Sequence, residues 1–590
     1  MASFFRQQIA RKVLPFLRNN EGSSSVTPNL ISSFIKVNRR SKNNPELLMS
    51  WQKIVHYSPE VEDWLTLPKL VNLLRNQGLP TAEGVIDIGL SESPLGLTFT
   101  VDKHVYSKIV LTDICENEEF LAVDNSFFHN TPLKKIAVHF SLPSVGERFN
   151  MSDFRTIIHC NFIENISTFF GNQVNKIYSM ADWNLKSAIT LTGFKKLGDE
   201  KELLNNPASH LFEVSKIAKQ LYESDPSFQN EVNSCFKDED KCSEWFNIRN
   251  LCWEQYTPVF EKLDLSFDNV RFDSSFSSEV KKVYEDLVAK NLIIPQHDGT
   301  LKANFMNNHK EDAASNSQIS KFFIYSLCNA IHSAIHTEAT YNFDILYYVA
   351  PKSQENFFEV FSSLLTELNY SWSEKLCFIG VENISDFHGR KKRASVEDIL
   401  NEMNLFMLKK LETELYLETN ESLERVAEIL SYSSLLMFDM KHRRNFNYSL
   451  NLNEILSFGR NSGAAFQLCH AGLKGLFEDN EILFKVDIDT SPLLEPEAQN
   501  LILHLSRFDE MVYKSYSTLE PFFLCQYLSS LWYYTDRAAS VLKLDLKSDR
   551  LIVIKARLLL FSATLNILQK CLEILGVKPY VNKYSQPRFV

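Results

Sequence analysis

The hydrophobic pattern changes once along the chain, from short mixed runs to long helical repeats. Before residue 400, seven short runs have the length and apolar character of strands: VIDIGL, LTFTVDK, KIVLTDI, KKIAVHFSL, KIYSMADW, FDILYYVAP and KLCFIGV. Beyond residue 400, apolar residues recur at helical spacing, most clearly in SVEDILNEMNLFMLKKLETELYL and LIVIKARLLLFSATLNILQKCLEILGV. Gly576 and Pro579 then supply a helix stop. We therefore expect an α/β region followed by an all-α region.

The order of these runs predicts a β-α-β unit in the middle of the chain. The strand KKIAVHFSL is followed by the helical run FRTIIHCNFIENISTFF and then by KIYSMADW. FDILYYVAP and KLCFIGV each follow a helical pattern and resemble buried strands. The sequence thus predicts a parallel sheet of nucleotide-binding type up to about residue 400. The stretch before it, with the helical run PKLVNLLRNQGL among strands, is expected to form a small α+β domain.

Length and composition are typical of a multidomain globular protein. The chain has 590 residues, 44% of them hydrophobic, and a prior of about 150 residues per domain predicts three or four domains. The formal net charge of -11 argues against a protein that coats nucleic acid with its whole surface, but it is compatible with a local basic patch. Ten cysteines without a C-x-x-C pair indicate neither a zinc site nor a disulfide scaffold, so we expect no metal and a reducing compartment.

The N-terminal segment is basic and has helical apolar spacing. Residues 1–44 contain eight Lys or Arg and a single acidic residue, Glu21. This pattern is typical of a mitochondrial presequence and predicts location in the mitochondrial matrix. The alternative is a basic N-terminal helix that stays on the mature protein. No run reaches the roughly 18 apolar residues of a membrane span, so no membrane insertion is expected.

Several blocks resemble the arginyl-tRNA synthetases of class I, specifically their mitochondrial branch, from about residue 50 to 580. In the α/β region the blocks are FSLPSVGERFNMSDFRTIIHCNFI, YSMADWN and YNFDILYYVAPKSQENFFEVF. They are similar to the family blocks F-S-S-P-N-x-A-K-x-x-H-x-G-H-L-R-S, Y-x-G-D-W-G and Y-x-F-D…Y-V-x-x-x-x-Q-x-x-H-F. Near the C-terminus, LCHAGL, LSRFDEMVYKS and KARLLLFSATLNILQKCLEILGVKP resemble the helical anticodon-binding domain called DALR.

The resemblance implies a multidomain α/β plus all-α architecture: a Rossmann-like class I synthetase catalytic fold with a C-terminal DALR-type helical domain. The predicted segments are 1–44, the candidate presequence; 45–131, a small α+β domain; 132–401, the Rossmann-like domain; and 402–590, the DALR-type domain. The family reaction is the ATP-dependent attachment of arginine to tRNA.

The chain departs from the family at the residues that the resemblance assigns to ATP. The positions of the H-x-G-H signature, whose histidines contact the ATP phosphates, are occupied by Asn150, Ser152 and Asp153. Glu147 replaces a family lysine, and Arg148 beside it is a candidate ATP contact. The loop DFHGRKKRASVEDIL is aligned with the second signature, a variant of K-M-S-K-S, but its spacing is not the family's. Its Arg390, Lys391 and Lys392, with Arg393, are either further ATP contacts or a solvated basic loop.

The arginine pocket that the resemblance implies is altered as well. The family glutamate and aspartate that pair with the guanidinium align with His139 and Ala330. The stacking tyrosine aligns with Ser326 and the asparagine of S-P-N with Ser144, and only Gln354 is kept. A buried guanidinium without a carboxylate would be an unpaired charge, which is costly.

Three functions are compatible with these substitutions. The first is a synthetase-like protein that binds tRNA, predicted to be mitochondrial tRNA(Arg), with the ligase reaction lost or strongly impaired and no certain cofactor. The second is a working mitochondrial arginine–tRNA ligase with an unorthodox site, which would use ATP. The third is a tRNA-delivering cofactor of a tRNA-modifying enzyme. The candidate tRNA contacts are Lys514, Tyr527, Trp532 and Arg557, and the chain is expected to be a monomer, with no protein partner identified.

Overall fold

A computed structural model describes most of the chain. The described residues are 2–18, 26–38, 44–79, 84–116, 127, 132–140, 145–146, 149–180, 182–237, 239–262, 266–272, 277–296, 301–304, 318–319, 321–384, 395–414, 422–478, 488–544 and 550–579. They form two compact units. The first comprises Met1–Pro132, Met403–Arg443 and Leu452–Val590, and the second comprises Leu133–Glu402 and Arg444–Asn451.

The first unit begins with a small α+β part. Its elements are α1 (Ser3–Leu17), α2 (Pro28–Phe34), β1 (Ile35–Val37), β2 (Glu46–Ser50), α3 (Trp51–Tyr57), α4 (Val61–Trp64), α5 (Leu67–Asn76), β3 (Val85–Glu92), β4 (Leu95–Val101) and α6 (Lys103–Glu116). The four strands form an antiparallel sheet in the order β1-β2-β4-β3. The helix predicted from PKLVNLLRNQGL and the strands predicted from VIDIGL and LTFTVDK are therefore confirmed as α5, β3 and β4.

The strand predicted from KIVLTDI is wrong, because these residues belong to helix α6. The Asp102 carboxylate accepts hydrogen bonds from the amides of His104 and Val105, at 2.9 and 3.0 Å, and so caps the start of the helix. The buried residues of α6 are Tyr106, Ser107, Val110, Leu111 and Ile114. Their spacing is that of one helical face, which local β-branched residues had obscured.

The second unit is built on the predicted parallel sheet. Its elements are β5 (Lys135–Phe140), α7 (Met151–Phe169), β6 (Gln173–Met180), α8 (Leu185–Leu197), α9 (Glu200–Asn205), α10 (Pro207–Ser224), α11 (Pro226–Lys237), α12 (Glu239–Lys262), β7 (Asn269–Phe272), α13 (Ser277–Ala289), β8 (Ile293–Pro295), β9 (Leu301–Ala303), β10 (Gln318–Ile319), α14 (Lys321–Tyr341), β11 (Ile345–Pro351), a 3-10 turn (Lys352–Gln354), α15 (Glu355–Glu367), a second 3-10 turn (Ser371–Lys375) and β12 (Leu376–Val381). The parallel sheet has the order β12-β11-β5-β6-β7, and β8, β9 and β10 form a small antiparallel sheet.

The centre of this sheet explains why its strands were predictable. In β5, which lies between β11 and β6, Ile136, Ala137, Val138 and Phe140 are at most 1% exposed. A strand covered on both faces needs a nearly continuous apolar run, which the sequence displays. Helix α7, predicted from FRTIIHCNFIENISTFF, connects β5 to β6 and completes the β-α-β unit.

The described residues from 396 onward are mainly helical, as predicted. Helix α16 (Val396–Glu414) is followed by α17 (Leu423–Met440), α18 (Leu452–Ile455), α19 (Gly463–Glu478), α20 (Pro496–Leu505), α21 (Phe508–Thr518), α22 (Phe522–Val541) and α23 (Leu551–Ile574). Gly576 has φ of 75° and follows the last helix, where the Val577 amide donates to the Leu572 carbonyl at 2.8 Å. This left-handed glycine ends α23 as the sequence predicts.

Helix α23 is the most apolar long helix among the described residues. Its most apolar 18-residue window has a mean hydropathy of 1.9, which is sufficient in length and composition for a membrane span, and 56% of that window is buried inside the protein. A core helix satisfies the same criterion. The absence of membrane insertion therefore stays a prediction.

Candidate active site

The signature turn of the second unit ends in a closed capping box at the start of α7. The Asn150 side-chain oxygen accepts hydrogen bonds from the amides of Ser152 and Asp153, at 2.9 and 3.3 Å. The Asp153 carboxylate accepts from the Asn150 amide at 3.0 Å. These reciprocal bonds satisfy amides that a helix start otherwise leaves without intrahelical acceptors. Asn150 and Asp153 thus have a structural function that the sequence analysis did not assign, although N-x-x-D is a readable capping signal.

The second signature segment adjoins the first within this unit. Asn150 and Ser395 form an antiparallel β-bridge, and the Val396 amide donates to the Phe149 carbonyl at 2.9 Å. Ser395 forms a second capping box with Asp398, through bonds of 3.1 and 3.3 Å, at the start of α16. The candidate ATP contacts Arg148, Arg390, Lys391 and Lys392, together with Glu147, Arg393 and Ser144, lie outside the described residues.

A cavity of about 220 Å³ lies beside the two helix starts. The residues that line it are Phe149, Asn206, Ala208, Ser209, Gln255, Tyr256, Ser395, Glu397 and Asp398. This described lining includes two carboxylates and no Lys or Arg. A polyphosphate in this place would meet negative charge from these side chains.

His139, predicted to align with the family's pocket glutamate, contacts an aromatic ring. The His139 ring, on β5, lies 4.7 Å from the ring of Tyr348 on β11. Burial, and then the nearby Arg271 guanidinium, lower the pKa of His139 to about 4. His139 is therefore neutral at physiological pH and cannot pair with a cation.

The other aligned pocket positions offer no negative charge. Ser326 and Ala330 lie on α14, where Ser326 is exposed and Ala330 is half-buried. Gln354 is exposed at the start of α15. None of these three side chains supplies a carboxylate for a guanidinium.

Arg271 is a residue of this region that the sequence analysis missed. It lies on β7, is 5% exposed, and donates a hydrogen bond to the Ser333 carbonyl at 3.0 Å. Besides its effect on His139, it contributes after burial to lowering the pKa of His332, to about 4, and of His336. The region around the aligned pocket thus contains a cationic side chain of the protein's own. The only sequence signal was a lone arginine in the strand-like run NVRF.

Two buried ionic groups support the signature elements of the second unit. Arg155, on α7, is 0% exposed and donates to the carbonyls of Glu382 and Phe446, at 2.7 and 2.9 Å. Asp182, after β6, is also 0% exposed and forms an ion pair with Arg249 at 3.2 Å. These contacts hold the start of α7 and the turn after β6 in place.

In the first unit, two of the four candidate tRNA contacts have structural roles. Tyr527 is 2% exposed, and its ring stacks on His504 with centroids 4.4 Å apart. Arg557 forms an ion pair with Glu495 at 3.0 Å and donates to the Lys543 carbonyl at 2.7 Å. Both side chains therefore connect parts of this unit.

The other two candidates are more accessible. Trp532 is half-buried, and Lys514 is exposed with its ammonium 3.9 Å from the ring centroid of Phe523. Arg443 lies 5.7 Å from the same ring. Phe523 and Arg443 were not singled out from the sequence, because their proximity to Lys514 depends on the packing of three separate helical segments. Such a combination of cations and aromatic rings is suited to phosphates and unstacked bases.

A cavity of about 530 Å³ adjoins this cluster in the first unit. Its lining residues are Lys441, His442, Asn461, His504, Met511, Phe522, Cys525, Gln526, Tyr527, Ser529 and Ser530. The mixture of aromatic edges, amides, hydroxyls and one ammonium can contact a nucleobase and its phosphate. Among the described residues, no group of three or more His, Cys, Asp or Glu side chains could hold a metal ion.

Comparisons with known proteins agree with this architecture. Residues 118–452 match the catalytic domain of class I tRNA synthetases (R), and residues 466–582 match the DALR anticodon binding domain. A human protein named probable arginine–tRNA ligase, mitochondrial, is 27% identical over 489 residues, which cover 82% of this chain and 84% of the human protein. The mitochondrial arginine–tRNA ligase of Saccharomyces cerevisiae is 26% identical over 464 residues, covering 76% of this chain and 72% of the yeast protein.

Solved structures support the fold over nearly the whole length. The arginyl-tRNA synthetase of Plasmodium falciparum superposes with a TM-score of 0.72 at 17% identity, covering 98% of both chains. That of Thermus thermophilus superposes with a TM-score of 0.68 at 14% identity, covering 98% of this chain and 99% of the other. The family match spans more than half of the sequence, and the chain therefore belongs to the class I arginyl-tRNA synthetase family and has a DALR anticodon-binding domain.

Proposed function

We propose that this chain is a mitochondrial arginyl-tRNA synthetase-like protein that binds tRNA(Arg), and that its ATP-dependent attachment of arginine is lost or strongly impaired. The observation that carries the proposal is the capping box at the start of α7, at the aligned positions of the ATP signature. Asn150 and Asp153 occupy these positions, and they bond each other's backbone amides. Side chains that would stabilise developing phosphate charge are replaced by groups that complete a helix.

Electrostatics supports the loss of ATP chemistry. Catalysis of adenylate formation needs hydrogen-bond donors or positive charges directed at the phosphates. Asp153 places a carboxylate in the first turn of α7, and like charges about 4 Å apart repel by about 4 kcal/mol at an effective dielectric constant of 20. Such a repulsion alone corresponds to roughly a thousandfold weaker interaction.

The residues aligned with the arginine pocket support the same proposal, because they disfavour the second substrate, arginine. His139 replaces a carboxylate and is neutral, and Arg271 brings a guanidinium of the protein near it. A substrate guanidinium would therefore find repulsion where the family supplies an ion pair. Two independent substrate sites are altered in the direction that disfavours the family reaction.

The direct test is arginine-dependent ATP–pyrophosphate exchange by the purified full-length protein, with tRNA(Arg) present. We expect no measurable exchange and no arginylation. Turnover in the ordinary range of roughly one per second or more would overturn the proposal and establish the second candidate, a working ligase. The similarity to ligases over most of the chain is the observation that favours that candidate.

Restoring the signature separates the two defects. The variant Asn150→His, Ser152→Gly, Asp153→His should recover ATP binding, measured by calorimetry, more readily than arginine binding, because His139 and Ala330 are unchanged. The matched control is Asn150→Ala, Asp153→Ala, which opens the capping box without adding histidines. Equal recovery of ATP binding in both variants would show that the hydrogen-bonded amides of the capping box, and not the missing histidines, prevent ATP binding.

The tRNA-binding part of the proposal rests on the DALR domain and on the cluster of Lys514, Phe523 and Arg443.

The matrix location rests on the names of the relatives and on the basic N-terminal segment. Fractionation of mitochondria with protease protection tests the location. We expect the protein to be protected inside the inner membrane and to elute as a monomer; accessibility to protease in intact mitochondria would contradict a matrix location.

A further inference from the structure

Helix α1, which lies within the candidate presequence, packs one face into the core of the first unit. Phe5, Ile9, Ala10 and Val13 are 0% exposed, and Leu17 is 1% exposed. A helix that lay loosely on the surface would leave these inward-facing side chains partly accessible. The complete burial of five apolar side chains over four turns indicates that α1 is part of the hydrophobic core.

A buried ion-pair network connects α1 to helix α21. Arg6 is 0% exposed and contacts Asp509 at 2.5 Å and Glu510 at 2.6 Å, and these carboxylates are 0% and 7% exposed. Burial alone would lower the pKa of Arg6, but the two carboxylates more than offset it, so this pKa lies above its ordinary value. Glu510 also accepts a hydrogen bond from the Val37 amide at 2.8 Å. The charge of Arg6 is therefore matched inside the protein.

Further contacts hold the start of α1, in the residues that precede Arg6. The Ala2 amide donates to the Ser506 carbonyl at 3.4 Å, and the Ser506 hydroxyl accepts from Tyr106 at 2.6 Å. The Phe5 ring stacks on Tyr106, with centroids 5.3 Å apart. Removal of α1 would take the Arg6 guanidinium away from Asp509 and Glu510, and removing one partner of a buried ion pair is strongly destabilising.

We propose that α1 is retained in the mature protein as a structural element, and that its exposed cations, not its removal, serve any targeting function. Arg11 and Arg18 are exposed, whereas Arg6 is not, so the helix has separate outer and inner cationic positions. The outer positions remain available to an import receptor without affecting the fold. The inner position is required by Asp509 and Glu510. Cleavage after Arg18 would remove both.

The first test is the N-terminus of the protein as it exists in cells. The full-length chain with a C-terminal tag is purified from the organelle in which it resides, and peptides are quantified by mass spectrometry. We expect peptides that contain Arg6 to be as abundant as peptides from α20, which lies far along the chain. A folded protein whose N-terminus lies beyond Arg18 would overturn the proposal. This readout is independent of location and of tRNA binding, so it can succeed or fail separately from the proposed function.

The second test compares two substitutions on the same helix that remove the same charge. Arg6→Met should lower the midpoint of thermal unfolding by roughly 10 °C, because it removes the guanidinium that pairs with two buried carboxylates. Arg11→Met should change the midpoint by no more than roughly 2 °C, because Arg11 is exposed. Equal midpoints of thermal unfolding for the two variants would contradict the proposal that the fold requires the buried cation of Arg6.

A rescue variant keeps the proposal falsifiable if Arg6→Met does not fold. Arg6→Met combined with Asp509→Asn and Glu510→Gln removes the two negative charges together with the positive one. We expect this triple variant to fold and to recover at least half of the lost midpoint. Failure of the triple variant to fold, together with stable folding of the chain lacking residues 2–18, would show that α1 does not belong to the folded protein.

Discussion

Asn150 and Asp153, at the positions aligned with the ATP signature, have a structural role at the start of α7. Both residues close the start of α7 by bonding to each other's amides. A histidine at the first position would be a poorer N-cap, since Asn, Asp and Ser are the preferred side-chain acceptors there. The sequence predicted the loss of positive charge at this turn but not the cap, because the aligned family residues drew attention to phosphate chemistry and not to backbone amides.

The contribution of this cap to the stability of the protein can be measured. Asn150→Ala should lower the free energy of unfolding by about 1 kcal/mol, because two amides of α7 lose their acceptor. Asn150→Asp, which also accepts from these amides, is the matched control. Urea unfolding followed by circular dichroism is the measurement. If Asn150→Ala and Asn150→Asp were equally stable, the side chain would not be the effective cap.

His139 gives the second unit a defined response to acid. Its pKa is about 4 when folded and about 6.5 when unfolded, so the unfolded chain binds the proton first as the pH falls. Stability from this group is therefore complete above pH 6.5 and decreases between pH 6.5 and 4, by up to about 3 kcal/mol. Urea midpoints measured from pH 7.5 to pH 4 test this. His139→Leu should show a shallower decrease over that interval, whereas an unchanged pH profile would exclude His139 as its source.

At the scale of elements, the sequence correctly predicted the strands whose identity follows from the local hydrophobic pattern. The apolar runs of β5, β11 and β12 were correctly assigned, because strands buried in a parallel sheet must be apolar throughout. KIVLTDI was misassigned, since its apolar residues also fit a helical face and the cap from Asp102 precedes the run. The position of Arg271 near His139 was not predictable, because it depends on the pairing of β7 with β6 and not on neighbouring residues.

The turn after β6 shows how one element depends on another. Asp182 is buried, its carboxylate pairs with Arg249 on α12 at 3.2 Å, and its carbonyl accepts a hydrogen bond from Trp245 on the same helix. Arg249 also lies over the Phe272 ring, 4.0 Å from its centroid. Helix α12 therefore supplies, through Arg249, the positive charge that balances the Asp182 carboxylate.

Breaking this pair should destabilise the second unit. Arg249→Met should lower the free energy of unfolding by about 3 kcal/mol, because the buried Asp182 carboxylate loses its cation. The double variant Arg249→Met, Asp182→Asn should be more stable than the single variant, since it removes the unpaired charge. Differential scanning calorimetry of both variants provides the comparison, and a double variant no better than the single one would argue against charge as the cause.

At the scale of the whole molecule, the sequence order conceals which segments fold together. Residues 1–132 share one compact unit with 403–443 and 452–590, although the sequence predicted them as separate segments. One contact within this unit joins Arg6 to Asp509 and Glu510, some 500 residues later, a pairing that no local pattern can reveal. The helical region is therefore best tested for tRNA binding in the full chain, where α1 remains in place.

The binding of tRNA should depend steeply on salt, since the whole protein carries a net charge of -11 and must bind phosphates through a local patch. For about five phosphate contacts, the logarithm of affinity should fall with the logarithm of salt concentration with a slope of roughly -4.

Lys514→Glu should weaken tRNA binding and make this slope shallower by roughly 1, because Lys514 is exposed beside Phe523. Lys219→Glu, an equal charge change on a side chain that is 72% exposed in the second unit, should have little effect. Fluorescence anisotropy of labelled tRNA(Arg) between 50 and 300 mM salt, roughly the range in which phosphate contacts dominate, measures both quantities. Equal losses for the two substitutions would mean that long-range charge, and not the Lys514 cluster, governs the interaction, and an affinity insensitive to salt would exclude phosphate contacts as its source.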